Sequence, residues 1–569
     1  PKPPKSERER RLRQRMIPLI AIAMASLAGG AYLGATSGSK QLGEDFASRW
    51  ENRDYQGMYA LITPESQSEY SEAEFQAAYE EAAIAATTEA VEPGRAGRAP
   101  GGDVKVSVTA NTRLFGTVDG EISLPVQDGK VAWAPHLTFP GLESGERVGR
   151  RLVLGERAAI LAADGSTLAT GQGDARSSGA LDVTGEVGEP PLELVPEIQE
   201  EGFPGDEPTG ISGLERSLNT VLGGKPGGDL LAVPDGTDLP DVPDSVDGRV
   251  LASSTAEPGK SVNTTIDPEL QDFTVNAMSG VNGGAVVLNA RTGAVKAVSG
   301  FGYSTPQPPG STFKIVTTAS ALEGNQVRLD DYFTPVESVE ILGRDLFNAH
   351  DESCGGNFTE AFARSCNSVF APLGIEVGGD KLVETSEKFG FNSPPTLFAS
   401  QYLEDGGIPS STIPDPIGDE LQIGSSAIGQ GEVLATPLQM ASVAQTVAMG
   451  GMRSPTPITS DKELLSNAKP VRVMPKEDAA VLRSLMESAV NYGTGYRGAV
   501  TGAQVAGKTG TAELGIGKGE KALLDAWFTA FAPSNKPKYV VCVLVASTTE
   551  DGGEVAAPIA SQILSEALG

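Results

Sequence analysis

Three short stretches hold residue types that could carry nucleophilic chemistry. Ser311-Thr312-Phe313-Lys314 sets a hydroxyl three residues ahead of an amine, and on a helix that spacing places both on one face, within reach of each other. A serine is a weak nucleophile at its free pKa and needs a base. A lysine can be that base where burial or a nearby cation depresses its pKa, and a helix N-terminus favours the negative charge that develops there. Ser365-Cys366-Asn367, 54 residues after Ser311, adds a second hydroxyl to relay a proton and an amide to hold a substrate carbonyl or amide. Lys508-Thr509-Gly510-Thr511 adds a second cation and two hydroxyls suited to a carboxylate. Gly510 would let a substrate backbone approach closely. Singly these patterns are weak and more often surface decoration. S-x-x-K recurs at Ser37-Gly38-Ser39-Lys40 and Ser466-Asn467-Ala468-Lys469, and S-x-N at Ser217-Leu218-Asn219 and Ser261-Val262-Asn263, whereas K-T-G-T occurs once. Their order and setting give them weight together.

That setting is a long, well-patterned segment, 263–569. A helix is expected over Asp267 to Met278, then a hairpin of Gly284 to Leu288 and Ala294 to Val298 across the turn Asn289 to Gly293. Gln307-Pro308-Pro309-Gly310 stops the chain before a helix opening at Ser311. Helices alternate with loops to Tyr492, and S-x-N falls in this helical region. Strands follow near Ala503 to Glu513, Ala526 to Ala532 and Lys538 to Ala546, with a closing helix over Ala557 to Leu568. K-T-G-T rides the first of these strands, and strands at both ends imply one mixed sheet.

Ahead of it, 41–146 reads as a small α+β domain. Phe46, Trp50, Tyr55, Met58, Tyr59 and Leu61 recur at helical spacing. A glycine-rich break is expected over Glu92 to Gly102, then strands at Val104 to Val108, Arg113 to Val118, Gly120 to Val126 and Gly129 to Trp133. The stretch 149–261 is rich in Gly, Pro and acid, with Pro226 to Gly248 as a linker or long hairpin. Neither region contains a reactive cluster.

At 569 residues with 39% hydrophobic content the chain has room for three or four domains. A net charge of −30 argues against nucleic acid as a partner. His136 and His350 are the two histidines, too few for a multi-histidine metal centre. His350 is read as structural, because Lys314 already fills the base role. Residues 1–15 hold seven basic against two acidic side chains, and 16–36 is apolar and uncharged. That length suits a membrane helix with the basic tail in the cytoplasm and the body outside. A cleaved signal peptide is the alternative, disfavoured because the run exceeds an ordinary h-region. Cys542 lies in an apolar run and reads as a buried thiol. Cys354 and Cys366 are close enough to bridge in an oxidising compartment, or are two unrelated thiols.

The ordered set S-x-x-K, S-x-N and K-T-G-T resembles that of the penicillin-binding proteins and class A β-lactamases. Thr264-Thr265-Ile266-Asp267-Pro268-Glu269-Leu270-Gln271 is similar to the opening of the family's transpeptidase domain. Gly429-Gln430-Gly431-Glu432 and Thr436-Pro437-Leu438-Gln439-Met440-Ala441 resemble its loop and helix between the second and third motifs. Gly210-Ile211-Ser212-Gly213-Leu214-Glu215 looks like its pedestal or dimerisation domain. Trp50, Asp54-Tyr55 and the Trp133 to Leu142 stretch are similar to the NTF2-like domain of some class B members. The resemblance leaves no segment for the glycosyltransferase domain of class A, which implies class B. It implies a multidomain α+β chain: basic tail 1–15, transmembrane helix 16–36, NTF2-like domain 41–146, extended pedestal 149–261 and serine β-lactamase-like transpeptidase domain 263–569. Two departures stand out. Gly300 to Pro308 is short for the family, which would trim the site entrance. Arg157 to Gly165 lacks the usual Asp-Arg ahead of its turn, which bears on pedestal packing but not on the chemistry.

The resemblance further implies acyl transfer on cell-wall stem peptides ending in D-Ala-D-Ala, without metal or organic cofactor. Ser311 would be the nucleophile, Lys314 the base and Ser365 a proton relay. Asn367 would orient the donor, Lys508, Thr509 and Thr511 would hold its carboxylate, and the backbone N–H groups of Ser311 and Thr511 would form the oxyanion hole. β-Lactams would acylate Ser311. A polytopic glycan polymerase and divisome or elongasome proteins are the implied partners. Rival readings are a D,D-carboxypeptidase, a β-lactamase (for which no deacylating Glu loop stands out) and an idle scaffold or β-lactam sensor.

Overall fold

The computed structural model of the chain describes residues 38–98, 103–405, 407–514 and 523–569. The basic tail and the expected membrane helix lie outside these, and among the described residues no helix is long and apolar enough to cross a membrane. The fold is mixed α and β, in two compact units. Among the described residues, the first holds the chain from Gly38 to Arg151 together with Asp229–Ser254, and the second holds Leu152–Gly228 and those from Thr255 to Gly569. The stretch 149–261, read from sequence as one body, is thus divided between them.

In the first unit, helices α1 (Gly38–Glu51) and α2 (Glu72–Ala86) pack on an antiparallel sheet of β1 (Thr88–Arg98), β2 (Val104–Thr112) and β3 (Gly116–Leu124). A capping box of Ser71 and Glu74 starts α2. Its Phe75 and Tyr79 meet Trp50 and Trp133 in an aromatic core. Strand β1 occupies most of what the sequence presents as a glycine-rich break. Pro93 and Gly94 obscure its alternation, yet both are tolerated because β1 is an edge strand whose register shifts between Pro93 and Ala96. The expected strand at Arg113 is a turn instead: β2 runs on to Thr112, and Gly116 re-enters with φ of 71°.

The second unit begins with short strands, Ile160–Leu161, Thr167–Thr170, Ser177–Ser178 and Val262–Asn263, in one four-stranded sheet. Beside them Glu215, 1% exposed, accepts from Arg157 Nε at 2.7 Å and Arg176 Nε at 2.5 Å. Arg157 also reaches Asn219, and Arg216 donates to Glu201. Arg157, part of the departure noted above, is therefore one of two guanidinium groups that clamp this segment together.

The site is carried by a five-stranded antiparallel sheet. Helix α3 (Pro268–Ala277), with Asp267 as N-cap, leads into β4 (Gly283–Asn289) and β5 (Val295–Gly300). After the S-x-x-K turn comes α4 (Lys314–Glu323), then α5 (Phe358–Ala363) and α6 (Asn367–Val377), α7 (Pro437–Ala448) and α8 (Lys476–Asn491). The chain ends with β6 (Ala506–Glu513), β7 (Leu524–Ala532), β8 (Tyr539–Thr548) and α9 (Ala556–Leu568). Sheet order is β5-β4-β8-β7-β6, so the hairpin pairs with the C-terminal strands and K-T-G-T lies on an edge. Both faces are covered. Val541 and Val543 join α3 and α9 in one core, while Val540, Cys542 and Leu544 join α7 in the other, which explains the unbroken apolar run of β8. Four short strands between Tyr332 and Asn357 interrupt a region that reads from sequence as helices and loops.

Candidate active site

Ser311 sits in a single 3₁₀ turn, Gly310–Phe313, and Lys314 is the first residue of α4. Two glycines let this turn and the edge strand touch. A Cβ on Gly310 would fall 2.6 Å from Thr511 O, and one on Gly510 would fall 2.6 Å from Pro309 O. On the other side, Gly310 N–H donates to Gly429 O at 2.8 Å, so the Gly429-Gln430-Gly431 loop supports the turn from behind. Gly429 has φ of 74°, and a Cβ there would fall 2.1 Å from Gly310 O. Both close approaches require glycine.

The turn between α5 and α6 presents Ser365 with φ of 63°, an uncommon conformation for a non-glycine residue. A disulfide joins Cys366 to Cys354 and so ties the middle of S-x-N to the strand Cys354–Asn357. Asn367 Nδ2 donates to Phe347 O at 2.8 Å, and Ser368 N–H donates to Asn348 Oδ1. Ser365 and Asn367 are thus held from both sides.

Both lysines converge on this turn. Lys314 Nζ donates to Ser365 O and Asn367 Oδ1, each at 2.7 Å, and to Ser365 Oγ at 3.3 Å. Lys508 Nζ donates to Ser365 Oγ at 2.8 Å and to Thr509 O at 3.0 Å. Both side chains are 0% exposed. Among the described residues neither makes an ion pair with a carboxylate, and their apolar neighbours are the rings of Phe370, 5.3 Å from Lys314 Nζ, and Phe362, 5.7 Å from Lys508 Nζ. Burial, and then the Lys508 charge, hold the Lys314 amine well below the ordinary lysine range. Burial brings Lys508 down to about 7. A lysine in this state can accept a proton near neutral pH. Among the described residues no hydrogen bond joins Lys314 to Ser311, although the spacing puts them within reach. The amine instead rests on Ser365 and Asn367 beside the nucleophile turn.

The hydroxyls of Thr494 and Thr509 share a hydrogen bond of 2.5 Å. Thr511 Oγ1 donates to Asp551 Oδ1 at 3.1 Å, and His350 Nε2–H donates to Asp551 Oδ2 at 2.7 Å. The sequence reading did not pick out Thr494 or Asp551. Asp551-Gly552-Gly553 could have been noticed only as a turn after the last strand. Among the described residues no group of acidic, histidine and cysteine side chains could hold a metal ion.

Comparison with known proteins agrees with this geometry. The family model for the penicillin-binding protein transpeptidase domain matches residues 283–565. The peptidoglycan D,D-transpeptidase PbpA of Mycolicibacterium smegmatis is 33% identical over 416 residues, covering 63% of this chain and 79% of that protein. PbpA of Mycobacterium tuberculosis is 37% identical over 279 residues, 46% of this chain and 55% of the relative. The structure of penicillin-binding protein A from M. tuberculosis as a ceftriaxone acyl-enzyme superposes with a TM-score of 0.57 at 26% identity, over 73% of this chain and 99% of that one. With identity of 33% sustained across 79% of a relative, this chain belongs to the class B penicillin-binding protein transpeptidases.

Proposed function

We propose that this chain is a serine-type peptidoglycan D,D-transpeptidase that cross-links stem peptides through a Ser311 acyl-enzyme and is acylated by β-lactams. The observation that carries this reading is the pair of buried lysines trained on one hydroxyl, with no carboxylate among the described residues to neutralise them. Lys314, poised to lose its proton, takes the proton of Ser311 as Oγ attacks the penultimate carbonyl carbon of a D-Ala-D-Ala terminus. The backbone N–H groups of Ser311 and Thr511 receive the oxyanion, a role commonly worth ~3–4 kcal/mol per donor. The bond to the terminal D-Ala nitrogen breaks, and that nitrogen takes its proton through Ser365, whose hydroxyl lies between the two amines. An amine of a second stem peptide then attacks the ester, forms the cross-link and returns the proton to Ser311.

Asn367 orients the donor, while Lys508, Thr509 and Thr511 hold its terminal carboxylate. The free side of β6 suits a donor peptide laid alongside it as an added strand. The segment 16–36 anchors the chain in the bacterial cell membrane, with 1–15 cytoplasmic and the catalytic unit extracytoplasmic, a reading supported by basic residues ahead of an uncharged apolar run. The segment 41–146 acts as an NTF2-like module and 149–261, which holds the Glu215 cluster, as pedestal. A polytopic glycan polymerase and divisome or elongasome proteins are the expected partners.

Intact mass after incubation of residues 41–569 with benzylpenicillin, beside Ser311→Ala, tests the reading. A stable one-to-one adduct in the unmodified chain alone supports it. No adduct with intact drug would replace it with an idle scaffold, and no adduct with the drug consumed would replace it with a β-lactamase.

A further inference from the structure

The Thr511 hydroxyl, assigned above to a substrate carboxylate, already donates to a carboxylate of the chain itself, Asp551 Oδ1 at 3.1 Å. Backbone packing presents Asp551 there. A Cβ on Gly552 would fall 2.3 Å from Gly510 O and 2.2 Å from Trp527 O, and one on Gly553 would fall 2.3 Å from Thr494 O. The loop after β8 is therefore pressed onto the K-T-G-T strand at Gly552 and onto Thr494 at Gly553, two residues without side chains. Gly552 N–H adds a hydrogen bond of 3.4 Å to the same Thr511 hydroxyl. The second oxygen of Asp551 accepts from His350, which stands on the turn Ala349–Asp351 ahead of the disulfide strand. His350 has φ of 57° and is 68% exposed, whereas Asp551 is 26% exposed. The bridge therefore joins two walls of the site, from the region before S-x-N to the region after β8, with its histidine end in solvent.

We propose that Asp551 is an internal occupant of the carboxylate subsite and thereby a specificity-determining residue, with His350 as the residue that positions it. This rests on the function proposed above. An incoming carboxylate must take the Thr511 hydroxyl from Asp551 and must do so against a like charge. Other charged groups near this bridge are Lys508, Glu550, Glu554 (paired with Arg497) and Asp351. Of these Lys508 is the cation on the strand, and two of its three donors are engaged by Ser365 and Thr509. The resting site thus selects for ligands that bind the strand well enough to displace the loop, and it disfavours small anions that cannot.

Second-order acylation rates test the proposal with two ligands, benzylpenicillin and its methyl ester, which lacks the carboxylate charge. Asp551→Ala is expected to raise the benzylpenicillin rate about tenfold, the effect of one competing hydrogen bond released together with a like charge. Asp551→Asn, which keeps the size of the side chain, should give a smaller gain in the same direction. Neither should change the rate with the ester by more than about twofold. His350→Ala should raise the benzylpenicillin rate roughly threefold alone and not at all in the Asp551→Ala background, because it acts through Asp551. Equal or slower acylation in both Asp551 variants, or an equal gain with the ester, overturns the proposal. Failure of the unmodified chain to acquire a Ser311-dependent adduct overturns the function instead, so the two failures are distinguishable.

Discussion

Around Glu215 buried charge is met by charge: a carboxylate that is 1% exposed lies between the guanidinium groups of Arg157 and Arg176. Around Ser365, in the same unit, two ammonium groups are buried with hydroxyl, amide and carbonyl oxygens as their partners and no carboxylate among the described residues. The physical cost differs accordingly. A buried pair offsets much of its desolvation by attraction and is costly chiefly when one partner is removed. A buried cation facing another cation relieves its desolvation by giving up a proton, which is how a lysine becomes a base near neutral pH. The first arrangement stabilises the fold, and the second spends stability on reactivity.

Lys314→Met separates the two most sharply. It removes the base, so acylation by benzylpenicillin should fall about 10³-fold, within the range for general-base catalysis. It also removes a buried cation and leaves an apolar chain of similar length, so the melting temperature should hold or rise. A variant that loses both activity and stability would mean that Lys314 is a structural member of the cluster. Glu215→Ala should do the opposite. Two guanidinium groups lose their shared carboxylate, at a cost of about 3–5 kcal/mol, readable by denaturant unfolding. The acylation rate of the folded fraction should stay within about twofold. A large loss of rate without loss of stability would show that the pedestal cluster feeds the catalytic one.

The disulfide belongs to the catalytic cluster and tests how that cluster is held. Cys354 and Cys366 close a loop with a sequence separation of 12, for which chain entropy suggests about 3 kcal/mol. Replacing both by Ser should lower stability by that order and also slow acylation, because Ser365 and Asn367 flank Cys366. A stability loss with an unchanged rate would assign their positioning to the Asn348 and Phe347 contacts instead.

What could be read from the sequence followed from locality. S-x-x-K, S-x-N and K-T-G-T are short, and the hairpin of β4 and β5, the three late strands and α9 have strong patterns of their own. Strand β1 was obscured because Pro93, Gly94 and Gly97 fit an edge strand only when β2 is there to pair with it. The return of Asp229–Ser254 to the first unit is likewise set by partners distant in sequence. In the site, the types and spacing of the reactive residues were legible, but their contacts were not. That Lys314 rests on Ser365 and Asn367 depends on a turn 51 residues away. Thr511 meets Asp551 across 40 residues, and Asp551 meets His350 across 201. No local spacing encodes such meetings, and a lone His350 read alone is most simply structural.

The smallest expected effect concerns the coupling between the two amines. Lys508, at about 7 in the folded chain against 10.5 for a free lysine, has a depressed folded pKa. Below pH 7 both folded and unfolded chains carry the proton, so the folded state bears the full cost of the buried charge. Between pH 7 and 10.5 the unfolded chain binds a proton that the folded lysine has released, so stability rises with pH through that window. Measured against Lys508→Met, the unmodified chain should therefore gain relative stability as pH rises from 7 towards 10.5. The same substitution removes a positive neighbour that helps to hold Lys314 down, so the Lys314 pKa should move up. The rising limb of the residual acylation rate against pH should then shift to the alkaline side, because a higher pH is needed to free the base. An unmoved limb would leave burial as the sole cause of Lys314 reactivity, and the contrast with Glu215 would reduce from paired against opposed charges to a difference in desolvation alone.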